Sequence, residues 1–202
     1  IGGIFRTVGG MPRTNLAHIR ADRTVDSDWK ASTVGAVHTL LRVQGTLYIG
    51  GEFSSVNNEP RLRAAALDVV SGRLLAWAPA ANSYVFDLAE LNGVLYLAGS
   101  FTSINDQTRQ RLAAVDAVTG QLRDWQFDAD DNVRSLVLAD GRLYAGGAFT
   151  VLGGSTRLRL AAIDLVSGVL DSWNPGTDGE VLALARDGGL LYVGGAFSRL
   201  GG

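Results

Sequence analysis

The stretch LYAGGAF at residues 143–149 recurs every 48 residues, as LYIGGEF at 47–53, LYLAGSF at 95–101 and LYVGGAF at 191–197. The same interval, without insertion or deletion, separates the four tryptophans of the chain: Trp29, Trp77, Trp125 and Trp173. A fixed period near this length is typical of propellers, solenoids and other repeat arrays. The fold is therefore best derived from a single repeat.

One repeat predicts four short strands, labelled A to D in chain order, because apolar and polar residues alternate between glycine turns. Strand A is 133–138 with equivalents that start at Val37, Val85 and Val181, strand B contains LYAGGAF, strand C is 111–116 or 159–164, and strand D ends at the tryptophan. Residues that accept positive φ predict type I′ hairpins between strands A and B, at Gln44-Gly45, Asn92-Gly93, Asp140-Gly141 and Gly188-Gly189.

Glycine pairs stand inside strand B, where they would weaken a strand unless another group comes close. We expect the periodic aromatics of a neighbouring repeat to cover them. After strand B the sequence predicts a loop, at Gly9-Gly10, Asn57-Asn58, Asn105-Asp106, Gly153-Gly154 and Gly201-Gly202. A second turn precedes strand D, at Ser71-Gly72, Thr119-Gly120 and Ser167-Gly168.

Four antiparallel strands repeated at constant length predict an all-β fold, a β-propeller of four-stranded blades with about four blades. The repeats are phased 1–48, 49–96, 97–144 and 145–192, with a partial repeat at 193–202 in the same phase as residues 1–10. Since the overlap falls inside strand B, we expect a segment of a longer propeller, with self-association of the segment as the alternative.

Composition excludes several classes of protein. The 202 residues, 47% apolar and 19% charged, are typical of a globular domain. The 18 basic and 20 acidic residues are scattered and nearly cancel, so no nucleic-acid partner is expected. No apolar run approaches the roughly 20 residues that span a bilayer, so no membrane insertion is expected. The lack of cysteine excludes disulfides, a zinc knuckle and a thiol nucleophile.

The strings LYVGGAF at 191–197, RLAAVDAVTG at 111–120 and SWNPGTDG at 172–179 resemble the delta-sixty-type β-propeller repeats of large bacterial secreted or surface proteins. That family is a domain of unknown function, related to repeats in a fungal cell-polarity membrane protein. The resemblance implies an extracellular or cell-surface setting, with no agreed ligand or activity. Residues Ala114 to Gly120, followed by Trp125, are less closely similar to quinoprotein blades. The tryptophan here comes one residue later, so pyrroloquinoline quinone is not expected.

Candidate catalytic and metal-binding groups are few. His18 and His38 are the only histidines, and neither has a histidine at the equivalent position of another repeat, so no nucleophile and base pair is expected. A set of carboxylates could bind Ca²⁺ through oxygen, and comprises Asp128, Asp130, Asp131, Asp178 and Glu180. We favour turns that accept backbone hydrogen bonds, because the first two repeats lack these acids. No cofactor is therefore expected, with calcium as the alternative.

Four arginines recur at the start of strand C: Arg13, Arg61, Arg109 and Arg157. Perfect periodicity in a repeat protein indicates ties between strands or blades, and we expect loss of one to cost about 1–3 kcal/mol. Residues that differ between blades are better candidates for ligand binding. They are Glu52, Asn58, Glu59, Tyr84, Phe86 and Arg134.

Three functions fit these observations. The first is a non-enzymatic scaffold or binding domain of a secreted or surface protein, with a protein or a glycan as its partner. The second is a lectin-like propeller with one shallow sugar site per blade. The third is part of a lyase or glycosidase, which would need acid and base carboxylates near the axis. The missing catalytic constellation favours the first.

Overall fold

The computed structural model describes residues 1–201, and all of its regular secondary structure is β-sheet. Among these residues there is no helix of the length and hydrophobicity that a membrane crossing requires. Gly202, the end of the predicted Gly201-Gly202 loop, lies outside the described residues. The strands are, in chain order, β1 (Thr7–Val8), β2 (Met11–Pro12), β3 (Thr33–Val34), β4 (Val37–Val43), β5 (Thr46–Gly51), β6 (Ser55–Val56), β7 (Glu59–Pro60), β8 (Ala64–Asp68), β9 (Val85–Leu91), β10 (Val94–Gly99), β11 (Ser103–Ile104), β12 (Gln107–Thr108), β13 (Leu112–Asp116), β14 (Val133–Ala139), β15 (Arg142–Gly147), β16 (Val151–Leu152), β17 (Ser155–Thr156), β18 (Leu160–Asp164), β19 (Val169–Leu170), β20 (Glu180–Asp187) and β21 (Leu190–Ala196).

Three antiparallel sheets follow one another along the chain, with strand orders β4-β5-β8, β9-β10-β13 and β14-β15-β18-β19. We call them blades 1, 2 and 3, call β20 and β21 the C-terminal hairpin, and call residues 1–29 the N-terminal half-blade. The first strands of successive units, β4, β9, β14 and β20, contact one another in turn. The predicted all-β propeller, with strand A innermost, is confirmed.

The predicted strand D is wrong in its extent. Only blade 3 has a fourth strand, the two-residue β19, while blades 1 and 2 have the single bridges Leu67↔Leu74 and Val115↔Leu122. The chain leaves the sheet before the tryptophan because the indole has partners elsewhere. The Trp77 ring stands edge-on to Tyr48 at 5.0 Å, and its Nε1 donates to the Asp116 carbonyl of the next blade at 3.0 Å.

Three of the tryptophans share one environment. The pairs Tyr48–Trp77, Tyr96–Trp125 and Tyr144–Trp173 are all edge-on, with ring centroids 5.0–5.3 Å apart. Trp29 has no such tyrosine and lies 6.1 Å from the His18 ring. The repeat therefore has the same packing in blades 1 to 3 and a different one in the N-terminal half-blade.

The turns between strands A and B follow the sequence in part. At Asn92-Gly93 and Asp140-Gly141 both central residues have positive φ, as the predicted type I′ turn requires. At Gln44-Gly45 and Gly188-Gly189 only the first residue has positive φ, which is the requirement of a type II′ turn. The type I′ prediction is wrong for those two turns.

The loop predicted after strand B is a small hairpin. The pairs β1-β2, β6-β7, β11-β12 and β16-β17 each form an antiparallel two-residue ladder. Both residues of the intervening turn have positive φ in all four, at Gly9-Gly10, Asn57-Asn58, Asn105-Asp106 and Gly153-Gly154. Asn, Asp and Gly tolerate this conformation, so a type I′ turn closes the hairpin. The prediction of an irregular loop missed that signal.

The glycine pairs of strand B do face close neighbours, but the next unit supplies valines rather than aromatic residues. A Cβ built on Gly50 would lie 2.7 Å from a methyl of Val85, and one on Gly146 would lie 2.5 Å from a methyl of Val181. Both valines lie within the first two residues of the inner strand of the next unit. The aromatic residues pack within the blades instead, where Phe101 is fully buried.

The C-terminal hairpin is packed on one side only. Leu190 is 63% exposed and Tyr192 is 53% exposed, although their counterparts in blade 2, Val94 and Tyr96, are half-buried and buried. The hairpin contacts β14 and β15 of blade 3. Within residues 1–201, no strand pair or hydrogen bond joins the hairpin to the N-terminal half-blade.

Candidate functional site: the axial pocket

A β-bulge interrupts every inner strand at the same register position. In blade 1, Val37 pairs with Gly51 and Thr39 pairs with Gly50, so His38 between them has no partner. A bulge inserts one unpaired residue and redirects its side chain, and bulges are frequent beside functional sites. The residues at this position in the four inner strands are His38, Phe86, Arg134 and Leu182.

The bulge explains the second glycine of each pair. A Cβ built on Gly147 would lie 2.1 Å from the carbonyl oxygen of Asn132. A Cβ built on Gly51 would likewise lie 2.1 Å from the Ala36 carbonyl oxygen. The bulge therefore excludes a side chain at this position of the partner strand. The glycine therefore marks the place where the inner strand turns a side chain toward the axis.

The four bulge residues line one cavity of about 550 Å³. Strand B of blades 1 and 2 and the segments that enter the inner strands supply the remaining lining. The full lining is His38, Glu52, Tyr84, Phe86, Ser100, Asn132, Arg134 and Leu182. We call this cavity the axial pocket. Its lining differs from blade to blade, although the backbone repeats.

Polar contacts hold the pocket side chains in place. The Arg134 Nε donates to Glu180 Oε1 at 2.8 Å, and the guanidinium lies 4.4 Å from the Phe86 ring centroid. The His38 Nε2 lies 3.0 Å from Glu52 Oε1, and the His38 ring is 5.7 Å from the Phe86 ring. The pocket thus combines an aromatic ring with fixed donors and acceptors, the arrangement by which proteins orient small polar ligands.

The charges of the pocket nearly cancel. Arg134 faces Glu180, and Glu52 faces His38, so the one guanidinium is accompanied by two carboxylates. Their side chains are 29–40% exposed, so water reaches them. The site therefore does not attract an anion, and its donors and acceptors suit an uncharged polar ligand.

The structure brings together four of the six residues singled out as ligand-binding candidates: Glu52, Tyr84, Phe86 and Arg134. Asn58 and Glu59 lie instead at the β6-β7 hairpin, where Asn58 has φ 65° and Glu59 is 3.6 Å from Arg61. His38, which the sequence analysis did not include among the ligand-binding candidates, also lies in the pocket. The available signal was its register, which it shares with Phe86 and Arg134.

The five carboxylates considered for calcium accept hydrogen bonds from the protein. Asp130 accepts from the Thr150 and Val151 amides, Asp128 from the Gln110 amide, and Asp131 from the Asn132 amide. Asp178 accepts from the Ser198 and Arg199 amides, and Glu180 accepts from Arg134. Within residues 1–201, no group of three or more His, Asp or Glu side chains is arranged to hold a metal ion. The expectation of no cofactor, with calcium as the alternative, stays a prediction.

Asp178 carries a testable pH dependence. Hydrogen bonds from the Ser198 hydroxyl and the Arg199 and Ser198 amides lower its pKa from 3.8 to about 2. A depressed folded pKa stabilises the fold above the unfolded pKa, and that contribution is lost as the pH falls toward about 2. We expect Asp178→Asn to reduce the loss of stability between about pH 5 and pH 2, measured by urea unfolding at several pH values.

Asparagine is the natural substitute at this place, because Asn82 holds the equivalent position in blade 2 and accepts from the Thr102 and Ser103 amides. Asp124→Asn is the control, since Asp124 is exposed and makes no hydrogen bond within the described chain. Equal acid sensitivity of Asp178→Asn and the unmodified protein would contradict the assignment.

The four periodic arginines tie strands within a blade. The Arg157 side chain donates to the carbonyls of Thr156 at 2.9 Å and Asp171 at 2.8 Å, which joins the start of strand C to strand D. Arg13 and Arg61 make the equivalent bonds. In blade 2 the bond from the Arg109 side chain to the strand D carbonyl, that of Arg123, is longer, at 3.4 Å. None of the four lines the axial pocket.

These distances rank the arginine substitutions. We expect Arg157→Ala to lower the free energy of unfolding by about 2 kcal/mol and Arg109→Ala by about 1 kcal/mol, because the shorter bond is the stronger one. Arg73→Ala is the control, since its side chain is exposed. Urea unfolding measures all three. Unchanged stability of Arg157→Ala would contradict the structural role.

One half-buried acid, Asp87, was missed from the sequence. Asp87 accepts from the Thr39 hydroxyl at 3.2 Å, the Ser135 hydroxyl at 3.3 Å and the Leu136 amide at 2.8 Å. Ser135 in turn accepts from the Leu184 amide at 3.1 Å. Burial raises the pKa of Asp87, and the surrounding donors oppose that shift. Thr39, Asp87 and Ser135 share one register position, so this chain of bonds joins four inner strands below the pocket.

Comparison with known proteins supports the β-propeller fold. The model of a β-propeller domain of unknown function, DUF5122, matches residues 138–172, from the end of β14 through β19. No curated protein sequence matches the chain. The chain is similar in structure to the computationally designed Ika4 protein, with 15% identity, TM-score 0.56, and 79% of this chain and 85% of that chain covered.

A second similar structure is that of the RRP9 WD40 repeats, with 15% identity and TM-score 0.53. The match covers 74% of this chain and 42% of that chain, so this chain spans less than half of the RRP9 repeats. At this identity the likeness shows the fold alone. The chain is therefore a repeat protein with the β-propeller architecture.

Proposed function

We propose that this chain is a non-enzymatic binding domain whose axial pocket holds an uncharged polar ligand, with a sugar as the ligand class. One observation carries the proposal. The backbone repeats from blade to blade, but the bulge position that points into the axis carries a histidine, a phenylalanine, an arginine and a leucine. Packing alone gives no reason for that variety, since the Leu-Tyr and Phe positions of strand B, which pack the blades, are the same in all four units.

The chemistry of the pocket favours a sugar over an anion. Phe86 offers an aromatic ring, Arg134 offers donors, and Glu52 offers acceptors. Ser100 and Asn132 add further polar groups to the lining. A polyhydroxylated ring can pair with such a mixture of donors and acceptors, whereas an anion would meet the nearly cancelled charge of the ion pairs.

The proposal also covers the repeat family and the cellular location of the protein. We propose that the repeats are of the delta-sixty type and that the domain belongs to a secreted or surface protein. The short match to a β-propeller domain of unknown function at residues 138–172 supports a propeller repeat of this kind. Fractionation of the source cells tests the location.

A glycan array tests the proposed ligand class. We expect the unmodified protein to bind a subset of glycans, equally with calcium and with a chelator, because we propose no bound cofactor. Arg134→Ala should weaken binding about tenfold or more, as expected when a charged hydrogen-bond donor is lost. Arg123→Ala is the matched control, because Arg123 also forms an exposed ion pair, with Asp116, away from the pocket.

The same experiment separates the competing functions. Binding that does not respond to Arg134→Ala would place the ligand outside the axial pocket. No binding to any glycan would exclude the sugar class. Turnover of a bound glycan that is lost in Glu180→Gln would show an enzyme and contradict the non-enzymatic assignment.

A further inference from the structure

The inner strand of each blade is an edge strand, so part of its backbone faces the axis without a neighbouring strand. β9 and β14 each pair with a single strand of their own blade. An edge strand presents unpaired amide groups, and a buried amide without an acceptor is costly. The amides of Leu88 and Leu136 both donate to Asp87. Each amide lies two positions after the bulge residue of its strand, which is Phe86 in β9 and Arg134 in β14.

The carboxylate of Asp87 joins three blades. Its Oδ1 accepts from the Leu88 amide at 2.8 Å and from the Thr39 hydroxyl of blade 1 at 3.2 Å. Its Oδ2 accepts from the Leu136 amide at 2.8 Å and from the Ser135 hydroxyl at 3.3 Å, both of blade 3. Asp87 itself belongs to blade 2, so one side chain connects the first three bulged strands.

Blade 3 shows that a carboxylate is not needed to satisfy one such amide. The Ser135 hydroxyl accepts from the Leu184 amide of the next unit at 3.1 Å, which is the link that Asp87 makes to Leu136. A hydroxyl therefore suffices for the bond to the next unit. The second oxygen of Asp87 adds the bond to its own strand and the bond back to blade 1.

The place of these bonds matters because the axial pocket is built across blades. Phe86 immediately precedes Asp87, and Arg134 immediately precedes Ser135. The guanidinium carbon of Arg134 lies 4.4 Å from the Phe86 ring centroid, and the two residues belong to different blades. Their separation therefore depends on how the bulges of blades 2 and 3 are held against each other. Asp87 bonds to both strands just beyond those bulges.

We propose that Asp87 is a positioning residue of the axial pocket, which holds the Phe86 ring and the Arg134 guanidinium in the arrangement that binds the ligand. This inference rests on the proposed function, because it assigns a supporting role at a site argued above to bind a sugar. Asp87 does not line the pocket, so it acts through the two bulges rather than by contact with the ligand. Binding side chains are placed accurately when supporting hydrogen bonds of this kind fix them.

An NMR measurement on the ligand-free protein tests the arrangement. A carbon over the face of an aromatic ring is shielded by the ring current, so the Arg134 Cζ signal should lie upfield in the unmodified protein. Phe86→Leu removes the ring and defines the unshielded position of that signal. Asp87→Ala should move the signal most of the way to this position, because it removes the bonds to both strands. Asp87→Asn keeps an acceptor oxygen and should retain most of the shielding.

Glycan binding provides a second readout through a double-mutant cycle. Asp87→Ala should weaken binding on the order of tenfold in the unmodified protein, but by less than about threefold in the Arg134→Ala background. The reason is that a positioning residue loses its effect once the residue that it positions is gone. If the unmodified protein binds no glycan, the proposed function fails, whereas the NMR result still decides the role of Asp87.

Thr33→Val is the matched control. Thr33 is buried, its hydroxyl donates to the Gly35 carbonyl at 2.7 Å, and it lies outside the lining of the axial pocket. The substitution should lower stability but leave the Arg134 Cζ signal and glycan binding unchanged, which separates general destabilisation from positioning.

Urea unfolding verifies that each variant is folded. If Asp87→Ala does not fold, Asp87→Ser replaces it, because a serine there can make the bond to the next unit alone, and the Arg134 Cζ signal should then shift in the same direction by less. An Arg134 Cζ signal that does not move, additive losses of binding in the cycle, or an equal shift in Thr33→Val would each overturn the proposal.

Discussion

Replacing Gly147 with alanine is expected to lower the free energy of unfolding by about 3 kcal/mol, although the change adds a single methyl group. The new Cβ would lie 2.1 Å from the Asn132 carbonyl oxygen and 3.0 Å from the Val133 Cα. Both are backbone atoms of the bulged inner strand, so no side-chain rotation relieves the contact. The strand must move, and the bulge that directs Arg134 into the axial pocket moves with it.

Gly45→Ala is the matched control for that substitution. A Cβ at Gly45 would meet no atom within 4 Å, and its φ is not positive, so we expect a change within about 0.5 kcal/mol. Urea unfolding followed by tryptophan fluorescence measures both variants. Equal stability of the two would show that the bulge does not need a glycine opposite it.

Phe101→Ala is expected to cost about 3–5 kcal/mol, the range for removing a fully buried aromatic side chain. Phe101 has no exposed surface and lies in one core cluster with Trp77, Leu97 and Ile104. The truncation leaves a cavity that Leu97 cannot move to fill, since it lies in β10, the strand of blade 2 that is paired on both sides. Urea unfolding again provides the measurement.

Phe197→Ala is the control within the same repeat position. Phe197 is two periods of 48 residues after Phe101, but it is only partly buried, against the small cluster of Leu160, Val181 and Leu184. We expect it to cost less than half as much as Phe101→Ala. Similar losses at the two positions would contradict the description of the C-terminal hairpin as packed on one side.

The candidate site was partly visible in the sequence. Phe86 and Arg134 were singled out because the residue type at their register position differs from blade to blade. Positions that the core packing requires keep the same residue type in every repeat. The same argument selected Glu59 and Asn58, which the β6-β7 hairpin holds away from the axis. Sequence alone does not give the distance of a residue from the axis, since that depends on where strands turn.

Local chemistry accounts for the parts of the fold that were predicted correctly. Period, alternation and positive-φ turns depend on neighbouring residues, and they determined strands A, B and C of the repeat, the order of these strands and the inner place of strand A. The extent of strand D was wrong because Trp77 bonds to the Asp116 carbonyl of another blade, a partner 39 residues away.

The sequence by itself determined that this protein is a repeating β-sheet array with near-constant cores and few acid–base groups. Only the tertiary structure decided that one bulge per inner strand gathers His38, Phe86 and Arg134 around a shared pocket. The physical reason is the range of the forces involved. Strand propensity and turn geometry act over a few residues, whereas a pocket exists only when separate blades are packed side by side.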